Sequence, residues 1–323
     1  MPKVIKIDSF GGPEVMQMRT EPRGSLKSGE ALVAHIAAGV NYLDISHRQG
    51  HYPLPLPTGL GVSGCGIIKE IRTEGLDLAV GDIVAYAGVS PGSYAEERSV
   101  AADRLVKLPA TIEPELAAAA LQQGITAAFL LQDVFPVRRG HVVLVHAAAG
   151  GVGTILCQWA RTIGSTVIGV VGSKEKASHA LSHGCKYVVV STSEKVADQI
   201  RELTGGRGAD VVFDSTGADS FETSLRSLSM RGMLVSFGSA SGDPPSIEVG
   251  KLAQLGSLYL TRPRFIHYTH QRQDLLRYAA AFFAKVESGL KVPIGQIYKL
   301  DQLAQAHRDV ENRATRGSSV IVF

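Results

Sequence analysis

Cysteine is scarce in this chain of 323 residues. The three present, Cys65, Cys157 and Cys185, stand far apart and form no C-x-x-C pair. That excludes a disulfide framework and the usual cysteine-based structural zinc site. The three are read as reduced, mostly buried thiols. A charge excess is also missing, since 33 basic residues face 30 acidic ones for a formal charge of +3. No Lys/Arg block would track a phosphate backbone and no basic patch is interleaved with aromatics, so nucleic acid is not an expected partner. The longest mostly apolar stretch, Leu116 to Leu131, is broken by Gln122, Gln123 and Gly124. It falls short of the roughly 18 residues that a membrane span requires. The opening residues, Met1 to Asp8, hold no apolar run, so neither a secretory signal nor an anchor is expected, and a cytoplasmic location is the expectation. Internal repeats and low-complexity linkers are absent as well.

Apolar residues make up 45% of the chain and charged ones 20%, with 35 glycines and 14 prolines, which suits a turn-rich globular protein. At roughly 150 residues per domain, two domains are expected. Up to about residue 122 the pattern is short β-rich runs cut by turns: Val4 to Ile7, Ala31 to Ala38, Gly66 to Ile71, Ile83 to Ala87 and Ser93 to Val100. This predicts a mainly antiparallel, barrel-like unit. From about 123 apolar strands alternate with helical stretches: Val142 to Val145, Val167 to Val171, Tyr187 to Val190, Val211 to Phe213 and Met233 to Phe237. The class is therefore α/β, with a doubly wound parallel sheet in the second unit. The tail predicts a helix over Asp274 to Ser288, the stretch Pro293 to Leu300, a second short helix and a terminal strand over Ser318 to Phe323, returning to the first unit.

The strongest local signal runs from the strand-like His141 to Val145 through His146-Ala147-Ala148-Ala149-Gly150-Gly151-Val152-Gly153-Thr154 into the helix-like Ile155 to Ile163. A pyrophosphate rests on a helix N-terminus only where the backbone can approach closely, and Ala148, Gly150 and Gly153 are small enough. The first of these positions is alanine where the dinucleotide fingerprint has glycine. NAD-selective sites carry an acidic residue about 20 residues further on, against the ribose 2′-hydroxyl. Here that place reads Gly172-Ser173-Lys174-Glu175-Lys176. A small residue, a hydroxyl and two ammonium groups suit a 2′-phosphate, so NADPH is the preferred cofactor. Glu175 leaves NADH use open, and the two lysines could also simply cap a solvated helix start.

The chain resembles the medium-chain dehydrogenase/reductase superfamily and, within it, the zeta-crystallin-like quinone oxidoreductases. The resemblance rests on Gly39-Val40-Asn41-Tyr42-Leu43-Asp44, Tyr52-Pro53, Pro57 to Gly61, Gln123 to Ala127 and the Ala148 to Gly153 turn. Asp214 to Gly217, Val235 to Gly238, Leu260 to Pro263 and Arg313 to Ser319 add to it. It implies a GroES-like catalytic domain from residues 1–122 and 267–323, a Rossmann domain from 123–266, and NADPH lying between them. It places Asn41 and Asp44 toward the nicotinamide, and Thr126, Gly150, Val152 and Gly153 around the diphosphate. Gly172, Ser173 and Lys176 then surround the 2′-phosphate, while Phe237, Ser239, Arg262 and Arg313 complete the cofactor cleft, with a structural role for Arg262 as the alternative. Ser191 stands where the group often has a tyrosine near the adenosine, and Ser46 where it often has another. The resemblance also implies a homodimer formed through an edge strand at Ser257 to Thr261.

Zinc-dependent members of that superfamily need a thiolate, an imidazole and a second thiolate, with one position left open. Here Asn41 stands at the first cysteine and Gly61-Val62-Ser63 at the Gly-His-Glu. No metal is expected. Without a Lewis acid, alcohols are poor substrates. Quinones and enones are electron-poor already and need mainly orientation and a few polar contacts. Asn41 and Tyr52 are the candidates for those contacts at the acceptor end, although Tyr52 could be a wall residue only. The expected function is zinc-independent, NADPH-dependent reduction of a small-molecule quinone. The alternatives are a reductase of α,β-unsaturated ketones or aldehydes, and a non-catalytic NADPH-binding protein of crystallin or RNA-binding type.

Overall fold

The computed structural model describes residues 1–191, 195–312, 314, 315 and 317–323. It divides into two compact units: Met1–Ile125 with His270–Ser288 and Val292–Phe323, and Thr126–Thr269 with Gly289–Lys291.

In the first unit the chain runs through β1 (Lys3–Ile7), β2 (Gln17–Thr20), β3 (Glu30–Val40), α1 (Tyr42–Gln49), β4 (Thr58–Gly59), β5 (Gly64–Ile71), β6 (Ile83–Tyr86), β7 (Glu97–Ala101) and β8 (Val106–Lys107). The long α2 (Pro114–Phe129) crosses the unit boundary. β3 is the organising strand. Its sequence EALVAHIAAGV is apolar on both faces because both are covered, and it pairs antiparallel with β5 and β7. Val33, Ile68, Val84, Tyr86, Val100 and Leu105 form one core, and Ile5, Ile7, Leu60, Tyr94, Leu303 and Ile321 another. The run expected as a strand from Ser93 enters the ladder only at Glu97. Its first residues bond to several segments: Tyr94 N–H to the Leu60 carbonyl, Ile5 N–H to that of Tyr94, and His35 N–H to that of Glu96. Helix α1 gave no clear periodic signal because its buried residues include Asp44, Ser46 and Arg48 beside Ile45.

The second unit alternates β9 (Val142–His146), α3 (Gly151–Ile163), β10 (Thr166–Val171), α4 (Lys174–Ser182), β11 (Tyr187–Val190), α5 (Val196–Leu203), β12 (Ala209–Asp214), α6 (Phe221–Ser227), β13 (Leu228–Ser236), α7 (Val249–Gln254), β14 (Tyr259–Thr261) and α8 (Phe265–Tyr268). The six strands form one parallel sheet in the order β11-β10-β9-β12-β13-β14. The order reverses direction at β9 and β12, the switch point where a doubly wound sheet opens a crevice beyond its carboxyl ends. Leu144, Ile168, Val189, Ile200, Val212, Leu225 and Leu234 fill the core beneath. Full burial of each such side chain contributes about 1.5–3 kcal/mol.

The tail supplies α9 (Arg272–Glu287), β15 (Ile294–Lys299), α10 (Leu303–Glu311) and β16 (Ser318–Val322). β16 pairs antiparallel with β3, Val320 opposite Gly39, which joins the end of the chain to its beginning. All three cysteines are unpaired and buried. Among the described residues no helix is long and apolar enough to cross a membrane.

Candidate functional site

In the second unit the residues singled out for cofactor binding collect at one edge of the sheet. β9 ends at His146 and leads into the small-residue turn, β10 ends at Val171 before Gly172, and β11 ends at Val190 before Ser191. β13 ends at Ser236 before Phe237 and Ser239, and β14 at Thr261 before Arg262. Parallel register sets Val171 beside Val190 and Asp214 beside Ser236, so these loops share the carboxyl edge. Thr126, half-buried in α2, is the one described member of the second-unit set outside that edge.

The turn after β9 is tightly built. Ala147 adopts a left-handed backbone, φ 49°, uncommon for a residue with a side chain, and its carbonyl accepts the N–H of Gly150 at 2.8 Å. A Cβ on Gly153 would lie 2.2 Å from that same carbonyl oxygen and 2.9 Å from Ala148 Cα, so only glycine lets α3 start here. Gly150 is the N-cap, and no side-chain hydrogen bond caps α3, an arrangement that suits an anion. Ser173 likewise caps α4 without a side-chain hydrogen bond, and exposed Lys174 and half-buried Lys176 follow it. Gly172 is exposed, with nothing within 4 Å of the place its Cβ would take. Ser191 N–H bonds the Val171 carbonyl at 2.8 Å, which sets it next to Gly172.

Two further loops of this edge are held by polar side chains, the buried Asp214 and the exposed Arg262. The Asp214 carboxylate accepts from Thr216 N–H, Ser220 Oγ and Ser224 Oγ at 2.6–2.8 Å and fixes the Ser215-Thr216-Gly217 loop. Ser224 Oγ also meets His146 Nε2 at 3.0 Å, and burial lowers the pKa of His146. Arg262 donates to Ser236 Oγ (3.1 Å) and the Gly238 carbonyl (3.2 Å) and pairs with Asp243. These bonds brace the loop that carries Phe237 and Ser239. Arg313 lies outside the described residues.

In the first unit Asn41 is the N-cap of α1, and Asp44 stands three residues on. The spacing is that of a capping box, and the Asp44 carboxylate accepts the Asn41 backbone N–H at 2.8 Å. Asp44 is fully buried. The same Oδ2 accepts from Asn41 Nδ2 (3.3 Å) and the Tyr94 hydroxyl (2.8 Å). Asn41 Nδ2 also donates to Ser63 Oγ (2.9 Å), and Asn41 Oδ1 accepts from Gln123 Nε2 (3.2 Å). Behind Tyr94 stands His307 of α10, with Nε2 3.4 Å from the hydroxyl, and Arg48 donates to its Nδ1 at 3.1 Å. Arg48 has no exposed surface and donates to Glu311, His307 and the Gly11 carbonyl. Tyr52 is 41% exposed and meets His47 edge to face at 6.3 Å between ring centroids.

Burial is the main cause of the titration shifts here. It raises Asp44 to about 6, against the hydrogen bonds from Asn41 and Tyr94. It lowers His307 to about 3, with help from Arg48, and His35 to about 4. Both histidines therefore stay neutral in the folded protein while the unfolded chain takes up their protons below about pH 6.5. Their stability contribution is present above that pH and is lost as pH falls toward their folded values. Asp44 has the opposite sign, because its unfavourable charge is removed as pH falls through about 6. The histidines win, and stability should drop by about 3 kcal/mol between about pH 7 and pH 4.5. Thermal melts across that range are the measurement, and His307→Gln should flatten the slope.

Among the described residues no three His, Cys, Asp or Glu side chains gather into a metal site. At the position where a thiolate ligand would stand, Asn41 is hydrogen-bonded to Ser63 and Gln123. This donor set does not fit zinc.

Residues 27–110 match the alcohol dehydrogenase GroES-like domain, and residues 151–282 match the family described as zinc-binding dehydrogenase. A quinone oxidoreductase of Pseudomonas aeruginosa is 41% identical over 324 residues, covering 100% of both chains. The chain belongs to the quinone oxidoreductase family. Within that family, the crystal structure of Escherichia coli quinone oxidoreductase complexed with NADPH superposes with a TM-score of 0.96 at 38% identity, over 99% of this chain and 100% of that one. A 2-haloacrylate reductase of a Burkholderia species is 36% identical over 98% of this chain and 97% of its own. The zinc in the second domain's description has no matching cluster of three His, Cys, Asp or Glu side chains among the described residues.

Three parts of the first-unit site were missed from sequence: Tyr94, His307 and Gln123. The N-x-x-D spacing at Asn41 was a readable signal for Asp44 as a cap. Tyr94 and His307 carry no local signal, because their roles depend on segments more than 200 residues apart in sequence meeting in space.

Proposed function

We propose that this protein is an NADPH-dependent quinone reductase that works without zinc. The observation that carries the reading is the collection of small, hydroxyl and cationic residues on one carboxyl edge of the parallel sheet, in a family whose E. coli member was crystallised with NADPH. Bound NADPH supplies a hydride. Gly150, Val152 and Gly153 at the start of α3 hold the diphosphate, with Thr126. Gly172, Ser173, Lys174 and Lys176 take the 2′-phosphate, with Ser191 beside them, and Phe237 and Ser239 serve the nicotinamide end with Arg262 as their brace. Asn41 and Tyr52 make the polar contacts at the acceptor end, and Asp44 positions Asn41. An already electron-poor acceptor suits a site whose polar contacts are the Asn41 amide and the Tyr52 hydroxyl.

A second reading, reduction of an activated alkene, is favoured by the similarity to 2-haloacrylate reductase. Oxidation of NADPH followed at 340 nm, with EDTA present and a quinone or an enone as acceptor, separates the two. Chelator-resistant turnover of 9,10-phenanthrenequinone is expected. Turnover of enones alone would promote the second reading, and binding of NADPH with no turnover would indicate a non-catalytic protein. Gly172→Asp tests the cofactor assignment with little disturbance of the fold, because its side chain enters open space. A carboxylate there should weaken NADPH about tenfold relative to NADH, read from the two dissociation constants. An unchanged ratio would move the 2′-phosphate elsewhere.

The protein is further read as a cytoplasmic homodimer. Unpaired buried thiols support the compartment. The short edge strand β14, with Tyr259 54% exposed, supports pairing through the sheet edge. A monomer mass by light scattering over a wide concentration range would sink the dimer.

A further inference from the structure

Gln123 belongs to α2, next to Gly124, where a Cβ would lie 2.2 Å from the Phe282 ring. That close approach pins the helix and so the starting point of the Gln123 side chain. Its Nε2 donates to Asn41 Oδ1, while its Oε1 is buried with no partner among the described residues. The orientation of both amides follows from their neighbours. Asp44 Oδ2 accepts from the Tyr94 hydroxyl and the Asn41 backbone, so Asn41 turns its Nδ2 toward that oxygen and toward Ser63. Asn41 Oδ1 then faces Gln123, and an oxygen there requires Gln123 to present Nε2. The atom left without a partner is therefore Gln123 Oε1, an acceptor. A buried acceptor without a donor is costly and needs an explanation, and an incoming O–H would supply one.

The reaction makes such a group. A quinone has acceptor oxygens only. With one hydride from NADPH and one proton from solvent it becomes a hydroquinone, both of whose oxygens carry a hydrogen, and NADP+ is left. We propose that Gln123 is a binding residue of the acceptor end, its Oε1 accepting the hydroxyl of the hydroquinone formed there. This rests on the reading of Asn41 as an acceptor-end residue. An enone reduced across its C=C bond gains two C–H bonds and ends as a ketone with no hydroxyl, so a contact at Gln123 Oε1 distinguishes the hydroquinone from the product of an enone.

The test compares binding of 1,4-dihydroxybenzene and 1,4-dimethoxybenzene to the full chain saturated with NADP+, by calorimetry. The native protein should prefer the hydroxyl compound by about tenfold, and Gln123→Leu should erase that preference while enone turnover changes less than quinone turnover. Gln123→Met, unbranched and close in length to glutamine, serves the same comparison if the leucine variant does not fold. A preference that persists in both variants, or that is absent from the native protein, overturns the role of Gln123. Asn41→Ala is measured alongside: unchanged quinone turnover there would remove the acceptor-end reading itself, a result distinct from failure at Gln123.

Discussion

Gly153→Ala is expected to weaken NADPH binding about a hundredfold, equivalent to about 3 kcal/mol. The added methyl would need to sit 2.2 Å from the Ala147 carbonyl oxygen and 3.0 Å from its carbon, and both are backbone atoms that cannot swing aside. Ala147 is already in the left-handed region, so the turn has little freedom to absorb the shift. The start of α3 must move away from β9, which takes the uncapped amides out of register with the anion they would hold. Fluorescence titration with NADPH measures the loss. Binding within threefold of the parent protein would mean that the diphosphate does not rest on this turn.

Arg48→Met should lower stability by about 3–5 kcal/mol, the usual cost of removing one partner from a buried ion pair. The guanidinium is completely buried and answers two Glu311 oxygens, His307 Nδ1 and the Gly11 carbonyl. Methionine fills much of the volume and satisfies none of them. Glu311 joins α10 to α1 through this contact, so the loss also loosens the Tyr94 and Asp44 support under Asn41. Denaturant unfolding gives the magnitude, and adding Glu311→Gln to Arg48→Met should recover part of it by removing the stranded carboxylate. A change below about 1 kcal/mol in Arg48→Met would show that the network is incidental to stability.

The second unit was legible to a degree that the first was not. Strand, small-residue turn and helix follow one another within about 25 residues, so local pattern was enough to place Gly150, Gly153, Gly172 and Ser173. The site in the first unit is made of long-range contacts. Asn41, Asp44 and Tyr52 could be named, but no local pattern shows that Asp44 and Arg48 lie on the buried face of α1. Only their partners, Tyr94 from the loop before β7 and His307 and Glu311 from α10, explain why charges are buried there. Arg262 could be named, but its bonds to Ser236 and Gly238 are visible only in the folded chain.

The chain's periodicities and turn residues by themselves determined the α/β class, the parallel sheet and the place of the small-residue turn after β9, because those depend on neighbours a few residues apart. The near absence of clustered cysteine and histidine argued against a metal before any coordinates were known. What only the tertiary structure decided is which polar groups face inward and in which direction their hydrogen bonds run. Donor and acceptor order along Arg48, His307, Tyr94, Asp44, Asn41 and Gln123 is a property of the assembled network, since each group's orientation is dictated by its neighbour in space. A one-dimensional pattern contains the residues of that network but not their order.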